Sequence, residues 1–324
     1  MGSIDERHSY SQQILTHLVQ SVSEIASLHS SSLCLYATGS FGRLEASKYS
    51  DLDLLFFHSG TGSDDSVSHI EKTLIDAELI NVCRDLSLPD FDGDGRFLDV
   101  HYLGDVKELL GGPDDDYHNH FTARMLLLLE SRWIYNELQY DIIVKSIIES
   151  YYRDYDNHDQ TFSPRFLVND IMRFWKTLCL NYEHKRNRPE NLSKNKNHLA
   201  NLKLKFSRLL TCFSTIAVLS TNLGIISPEE LFELVHHSPL HRLELAVKKE
   251  APNFKDASSH LSNAFELYAW FLELTEQPKL EMVEWIGNKE NRVQAFQKGR
   301  EFGDEIYELL TAIADKNAMR YLVV

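Results

Sequence analysis

Two aspartates one residue apart, Asp51 and Asp53, carry the strongest chemical suggestion in this 324-residue chain. On an extended backbone alternate side chains leave the same face, so the two carboxylates would stand side by side. Like charges that close repel unless a cation lies between them. A hard divalent ion suits that position, because Mg²⁺ takes one or two carboxylates and completes its shell with substrate phosphates. Upstream, Gly39-Ser40 follows the short apolar run Leu-Cys-Leu-Tyr-Ala-Thr at 33–38. Gly39 permits a sharp turn, and Ser40 opens a short helix whose unsatisfied N–H groups and dipole favour a phosphate. A third acid, Asp99, sits between Leu98 and Val100 in the alternating stretch 96–103 and would add a ligand from a neighbouring strand. Two ions about 3.5–4 Å apart would then clamp an in-line displacement, with Asp99 as proton acceptor for the attacking hydroxyl.

Other readings of these residues compete. A charged, exposed strand edge would explain Asp51-Leu52-Asp53 alone, and the Gly39-Ser40 turn is what favours chemistry. Asp85, Asp90, Asp92 and Asp94 lie close to Asp99, but in a stretch that reads as loop. Asp90-Phe-Asp92-Gly-Asp94-Gly95 matches the opening of a calcium-binding EF-hand loop; its twelfth position would be His101 rather than Glu, and a strand follows, so a turn is expected. Arg43 either pairs with Glu45 at the surface or reaches the phosphates.

The elements needed to hold these groups can be read from hydrophobic spacing. Residues 8–29 place Ile14, Leu15, Leu18, Val19, Val22, Ile25 and Leu28 on one helical face, suited to covering a sheet. Strands are expected at 33–38, 51–57 and 96–103. Between the last two, Ile70, Leu74, Ile75, Leu79 and Val82 mark a helix that ends before Pro89. Beyond Gly111-Gly112-Pro113 every apolar segment has helical spacing, including 121–136, 140–155, 165–184, 201–220, 257–274 and 291–316. The expected organisation is a catalytic domain at 1–112 and an all-helical domain with a C-terminal tail at 113–324.

Composition sets limits. The formal net charge of −15 argues against a protein that coats nucleic acid over its whole surface. Yet residues 173–208 hold ten Lys or Arg against Glu183 and Glu190, so this segment is +8 and the remainder −23. Such a concentration is either a solvated face or a track for an anionic polymer or nucleotide, and binding through it would weaken steeply with salt. Arg173 and Lys176 belong to the polar side of a helix whose apolar side is Ile171, Phe174, Trp175, Leu178 and Tyr182. Cys34, Cys83, Cys179 and Cys212 lie apart in apolar segments and read as buried thiols. No apolar run reaches the roughly 18 residues of a membrane span, and no basic-then-apolar leader opens the sequence, so a cytoplasmic protein without direct membrane insertion is expected.

Gly-Ser, about ten residues, Asp-x-Asp and a later strand aspartate together resemble the signature of the polymerase-β-like nucleotidyltransferases, over residues 33–103. The resemblance implies an α+β fold: a small mixed-sheet nucleotidyltransferase core with flanking helices, followed by a helical domain. It also implies Mg²⁺ or Mn²⁺ held by Asp51, Asp53 and Asp99, a nucleoside or deoxynucleoside triphosphate at Gly39 and Ser40, and Arg173 and Lys176 as further cations for its phosphates. Gly-x-x-Gly-Arg-x-Glu (39–45) leading to Tyr-Ser-Asp-x-Asp (49–53) looks like the uridylyltransferase-like branch. The helical segments and the Arg-Tyr-Leu-Val-Val ending are similar to nucleotidyltransferases of the anti-phage defence system called Hailong. That similarity implies template-independent synthesis of short single-stranded DNA oligomers from dATP, primed on Tyr321, with the product restraining a membrane effector protein. Single nucleotidyl transfer to RNA, protein or a small molecule is the alternative enzyme, and a non-catalytic antitoxin-like partner the alternative class.

Overall fold

The computed structural model describes residues 2–25, 28, 32–62, 67–89, 91, 98–158, 161–186, 194–221, 225–247 and 253–315. These divide into two compact units, one formed by residues 5–153 with 228–238 and the other by 1–4, 154–227 and 239–324.

The first unit is built on a mixed sheet. Helix α1 (Gly2–Ser23) precedes β1 (Leu33–Thr38), the single-turn α2 (Gly39–Gly42), β2 (Asp53–His58), α3 (His69–Asp85) and β3 (Val100–Tyr102). Next come α4 (Leu103–Glu108), α5 (Pro113–Tyr117), α6 (His120–Leu129), β4 (Arg132–Tyr135) and α7 (Glu137–Tyr151). Sheet order is β3-β2-β1-β4, with β1 antiparallel to both β2 and β4, and β2 parallel to β3. The architecture is α+β, as expected.

Each face of the sheet is covered for a reason visible in the alternation. Leu33, Leu35 and Ala37 of β1 and Leu54 and Phe56 of β2 join one apolar cluster with Leu15, Leu18 and Val22 of α1 and Ile75, Leu79 and Cys83 of α3. Burying such a Val, Leu or Ile side chain stabilises the fold by roughly 1.5–3 kcal/mol. Helix α3 is started by a capping box, in which the Ser68 hydroxyl accepts from the Glu71 N–H and the Glu71 carboxylate accepts from the Ser68 N–H. Its apolar stripe is narrower than its sequence suggests, since Ile70 and Leu74 are exposed. Tyr36 and Phe57 point to the opposite face, their rings stacked with centroids 6.1 Å apart, and Tyr140 of α7 lies 6.2 Å from Tyr36.

The segment at 121–136, expected to be one helix, breaks into α6 and β4. Arg132-Trp-Ile-Tyr135 is aromatic and β-branched, suits a strand, and pairs with β1. Asn136 then turns the chain in the left-handed conformation (φ 60°), its side-chain oxygen accepting from the Gln139 N–H and its amide donating to the Leu33 carbonyl at 3.0 Å. The sheet therefore draws residues beyond 112 into its own unit, and the chain after 112 is not all helix. Helix α11 (Pro228–Val235) also belongs to this unit, with His236 Nε2 3.3 Å from Asp141 of α7.

The second unit is helical: α8 (Arg165–Arg186), α9 (Lys194–Lys203), α10 (Leu209–Leu219), α12 (Pro239–Ala246), α13 (Phe254–Leu274), α14 (Lys279–Gly287) and α15 (Lys289–Ile313). Between α9 and α10 the backbone widens into a π-helical turn at Leu204–Arg208. Phe206 in that turn is fully buried, its ring 4.7 Å from Phe271 and 5.0 Å from Phe302. No helix among the described residues is long and apolar enough to cross a membrane. Cys34, Cys83 and Cys212 are buried as expected, whereas Cys179 is half-buried; burial pushes the Cys34 thiol up to about 12.

Candidate active site

The β1–β2 register brings the two motif segments together. Thr38 is paired with Asp53, so the residue after Thr38, Gly39, stands at the side of the Asp53 carboxylate. Gly39 has φ +63°, and a Cβ built on it would fall 2.5 Å from Asp53 Oδ2. Glycine is required here twice over, for the backbone conformation and for the space. The cradle beside Oδ2 exists because this residue has no side chain.

Asp53 opens β2, while Asp51 precedes the strand rather than lying in it. Both are half-buried and flank buried Leu52. Asp99 likewise lies one residue before β3, not within it, and is exposed. The parallel register pairs Phe56 with Val100. Continued by one residue it puts Asp99 beside Leu55, on the face of Asp53, with Cα atoms about 8 Å apart for strands spaced about 4.8 Å and rising about 3.3 Å per residue. All three acids thus lie at the end of the sheet where β2 and β3 begin.

Among the described residues no three His, Cys, Asp or Glu side chains are grouped closely enough to enclose a metal by themselves. The donor chemistry nevertheless fits a hard divalent ion, which needs only one or two protein carboxylates when substrate phosphates supply the rest. The close approach of the Gly39 backbone to Asp53 Oδ2, which sets a turn beside a carboxylate, is the observation that supports the fit. Asp85 ends α3, and Asp90, Asp92 and Asp94, with the EF-hand-like loop, lie outside the described residues.

Arg43 is neither at the surface nor open to solvent. Its Nε donates to Glu45 Oε2 at 2.8 Å and its Nη1 to Glu130 Oε2 at 2.7 Å, with all three residues buried. The expected Glu45 pairing exists, but inside the protein, and a second carboxylate 87 positions away completes it. Of the two readings of Arg43, the pairing with Glu45 is the one these contacts support. Glu130 was not anticipated, and spacing alone carries no signal for a partner that distant. Gly42 explains the proximity, since a Cβ there would lie 1.9 Å from the Glu130 carbonyl oxygen. The turn packs directly on the junction of α6 and β4.

His101 lies beside Phe57, the rings tilted by 36° with centroids 5.6 Å apart, and its Nδ1 is 3.3 Å from Nδ1 of His120. Burial, followed by the neighbouring His120, pushes His101 down to about 4. Burial and nearby His118 also lower His120.

Arg173 and Lys176 lie on α8 in the helical unit. Arg173 Nη1 is 3.6 Å from buried Asp170, and Lys176 is exposed. The basic stretch continues through exposed Lys194, Lys196 and Lys203 of α9; Arg188 lies outside the described residues, as does Tyr321 with the rest of the tail. The chain matches no protein-family model and no curated protein.

Proposed function

We propose that this chain is a metal-dependent nucleotidyltransferase that moves a nucleotide from a nucleoside or deoxynucleoside triphosphate to a hydroxyl acceptor. The observation that carries the reading is the contact of the Gly39 turn with the Asp53 carboxylate, at the end of the sheet where Asp51 and Asp99 also lie. In this reading the Ser40 hydroxyl and neighbouring N–H groups receive the phosphates. Asp51 and Asp53 would hold Mg²⁺ or Mn²⁺. When bound, the ion neutralises charge on the triphosphate and eases loss of the acceptor's proton. Exposed Asp99 accepts that proton as the hydroxyl oxygen bonds to the α-phosphorus and pyrophosphate leaves in line.

Incubation with each labelled triphosphate and Mg²⁺ or Mn²⁺ tests this. Product and pyrophosphate should form with the wild type and vanish with Asp51→Ala and Asp53→Ala, both folded by circular dichroism. Equal turnover in those variants would refute the assignment.

The finer version has the acceptor on the chain itself, with short DNA oligomers growing from dATP on Tyr321 in anti-phage defence. Its support is the resemblance of the helical segments and the Arg-Tyr-Leu-Val-Val ending. It calls for a mass increase on the peptide containing Tyr321, and a Tyr321→Phe protein that makes oligomers at the normal rate would exclude it. The +8 segment supplies the cations suited to hold such a product, which would be a short single strand.

A further inference from the structure

We infer that Arg43 is a positioning residue, which, gripped by Glu45 and Glu130, locks the Gly39–Ser40 turn against Asp53 and takes no part in holding phosphate. The inference rests on the proposed role of that turn. Its basis is the way the loop between α2 and β2 is fastened. Within the turn, the N–H groups of Arg43, Leu44 and Glu45 donate to the carbonyls of Gly39, Phe41 and Ser40 at 3.1, 3.1 and 2.8 Å. Leu44 adopts φ 61°, a conformation unfavourable for leucine that persists only where the surroundings enforce it. Enforcement comes from three directions. Arg7 of α1 donates to the Glu45 carbonyl at 3.2 Å, and Ser11 Oγ accepts from the Ala46 N–H at 2.8 Å. Arg43 ties the third side to Glu130, where the missing side chain of Gly42 allows the turn to sit on the α6–β4 junction.

The chemistry at stake separates the two roles of Arg43. A guanidinium offers two donor edges at fixed angles and so bridges two carboxylates, whereas an ammonium is a single point charge. A phosphate contact would tolerate lysine, but the bridge would not. Removing the Glu130 charge also has opposite effects in the two cases. It would release a phosphate-binding arginine and tighten nucleotide binding, while it would slacken a positioning clamp and weaken binding.

The test uses the full chain with Glu130→Gln and Arg43→Lys, read first by hydrogen exchange. Clamp loosening should speed exchange at the amides of residues 43–46 by at least about tenfold and leave β1 at 33–38 unchanged, because local opening is independent of global unfolding. Second, with dATP and ATP plus Mg²⁺ as probes, KM should rise at least about fivefold in both variants at a temperature where they stay folded. Unchanged exchange at 43–46, or a KM that falls in Glu130→Gln, would overturn the inference. If Glu130→Gln fails to fold, Glu45→Gln carries the same comparison. A wild type inactive toward every triphosphate would remove the nucleotidyltransferase reading, and the exchange result would still decide whether the clamp exists.

Discussion

Replacing Gly39 with alanine perturbs the single point where turn and carboxylate meet. The backbone there has φ +63°, and an L-residue held in the left-handed region is destabilised by roughly 1–2 kcal/mol. The new Cβ would lie 2.5 Å from Asp53 Oδ2 and 3.4 Å from its Cγ. Relief requires a shift of about 0.5 Å or more, and overpacking of that kind costs about 1–3 kcal/mol if nothing gives way. A carboxylate at the end of a side chain can rotate, however, so much of the second term should be exchanged for a displaced Asp53. Stability to urea should then fall by about 1–2 kcal/mol, the backbone contribution alone. Nucleotide transfer should fall by about 100-fold, as expected for a misplacement approaching 1 Å at a reacting centre. Urea titration followed by fluorescence and a single-turnover transfer assay at low urea measure the two effects on one sample. A Gly39→Ala protein that transfers nucleotide within about twofold of wild type would refute the claim that this contact organises the site, since a tenfold loss corresponds to only about 1.4 kcal/mol.

Gly42→Ala should behave differently, because its Cβ would meet the Glu130 carbonyl oxygen at 1.9 Å and its carbon at 2.8 Å, backbone atoms that cannot rotate aside. Loss of soluble, folded protein is expected, and a Gly42→Ala chain with wild-type urea midpoint would contradict it. Asp115→Ala should cost about 3–5 kcal/mol, because it strands a buried arginine. Arg124 donates to both Asp115 oxygens at 2.8 Å with neither side chain exposed, and an unchanged urea midpoint would mean that the pair adds nothing. Acid sensitivity should trace to His101. Its folded value of about 4 lies below the ordinary histidine value of 6.5, so the unfolded chain binds the extra proton first. The resulting stability is complete above pH 6.5 and is lost as the pH falls toward 4, by an amount on the order of 3 kcal/mol. Melting temperature followed over that range should drop less in His101→Phe than in wild type, and parallel curves would discount His101.

How much of this was legible beforehand depended on the range of the interactions. The strand at 33–38, the helix before Pro89 and the placement of α1 over the sheet follow from local periodicity, and each appears in the structure. The strand β4 was hidden because Met-Leu-Leu-Leu-Leu at 125–129 extends a helical pattern up to Glu130, and only pairing with β1 reveals that Trp133 and Tyr135 belong to a sheet. At the site, Gly39, Asp51 and Asp53 could be singled out from type and spacing, since a turn glycine and alternating acids obey local geometry. The strands expected to carry Asp51 and Asp99 begin two residues and one residue too late to include them, because strand ends are set by pairing rather than by residue pattern. Arg43 is the instructive case. A basic residue beside a Gly-Ser turn invites assignment to a ligand, but whether a cation serves substrate or scaffold depends on which anions fold next to it. Glu130 lies on the far side of two strands and four helices in sequence, and no pattern in the chain announces it. Local rules therefore identify the residues that must be of a given type, and tertiary contacts decide what the charged neighbours of those residues are for.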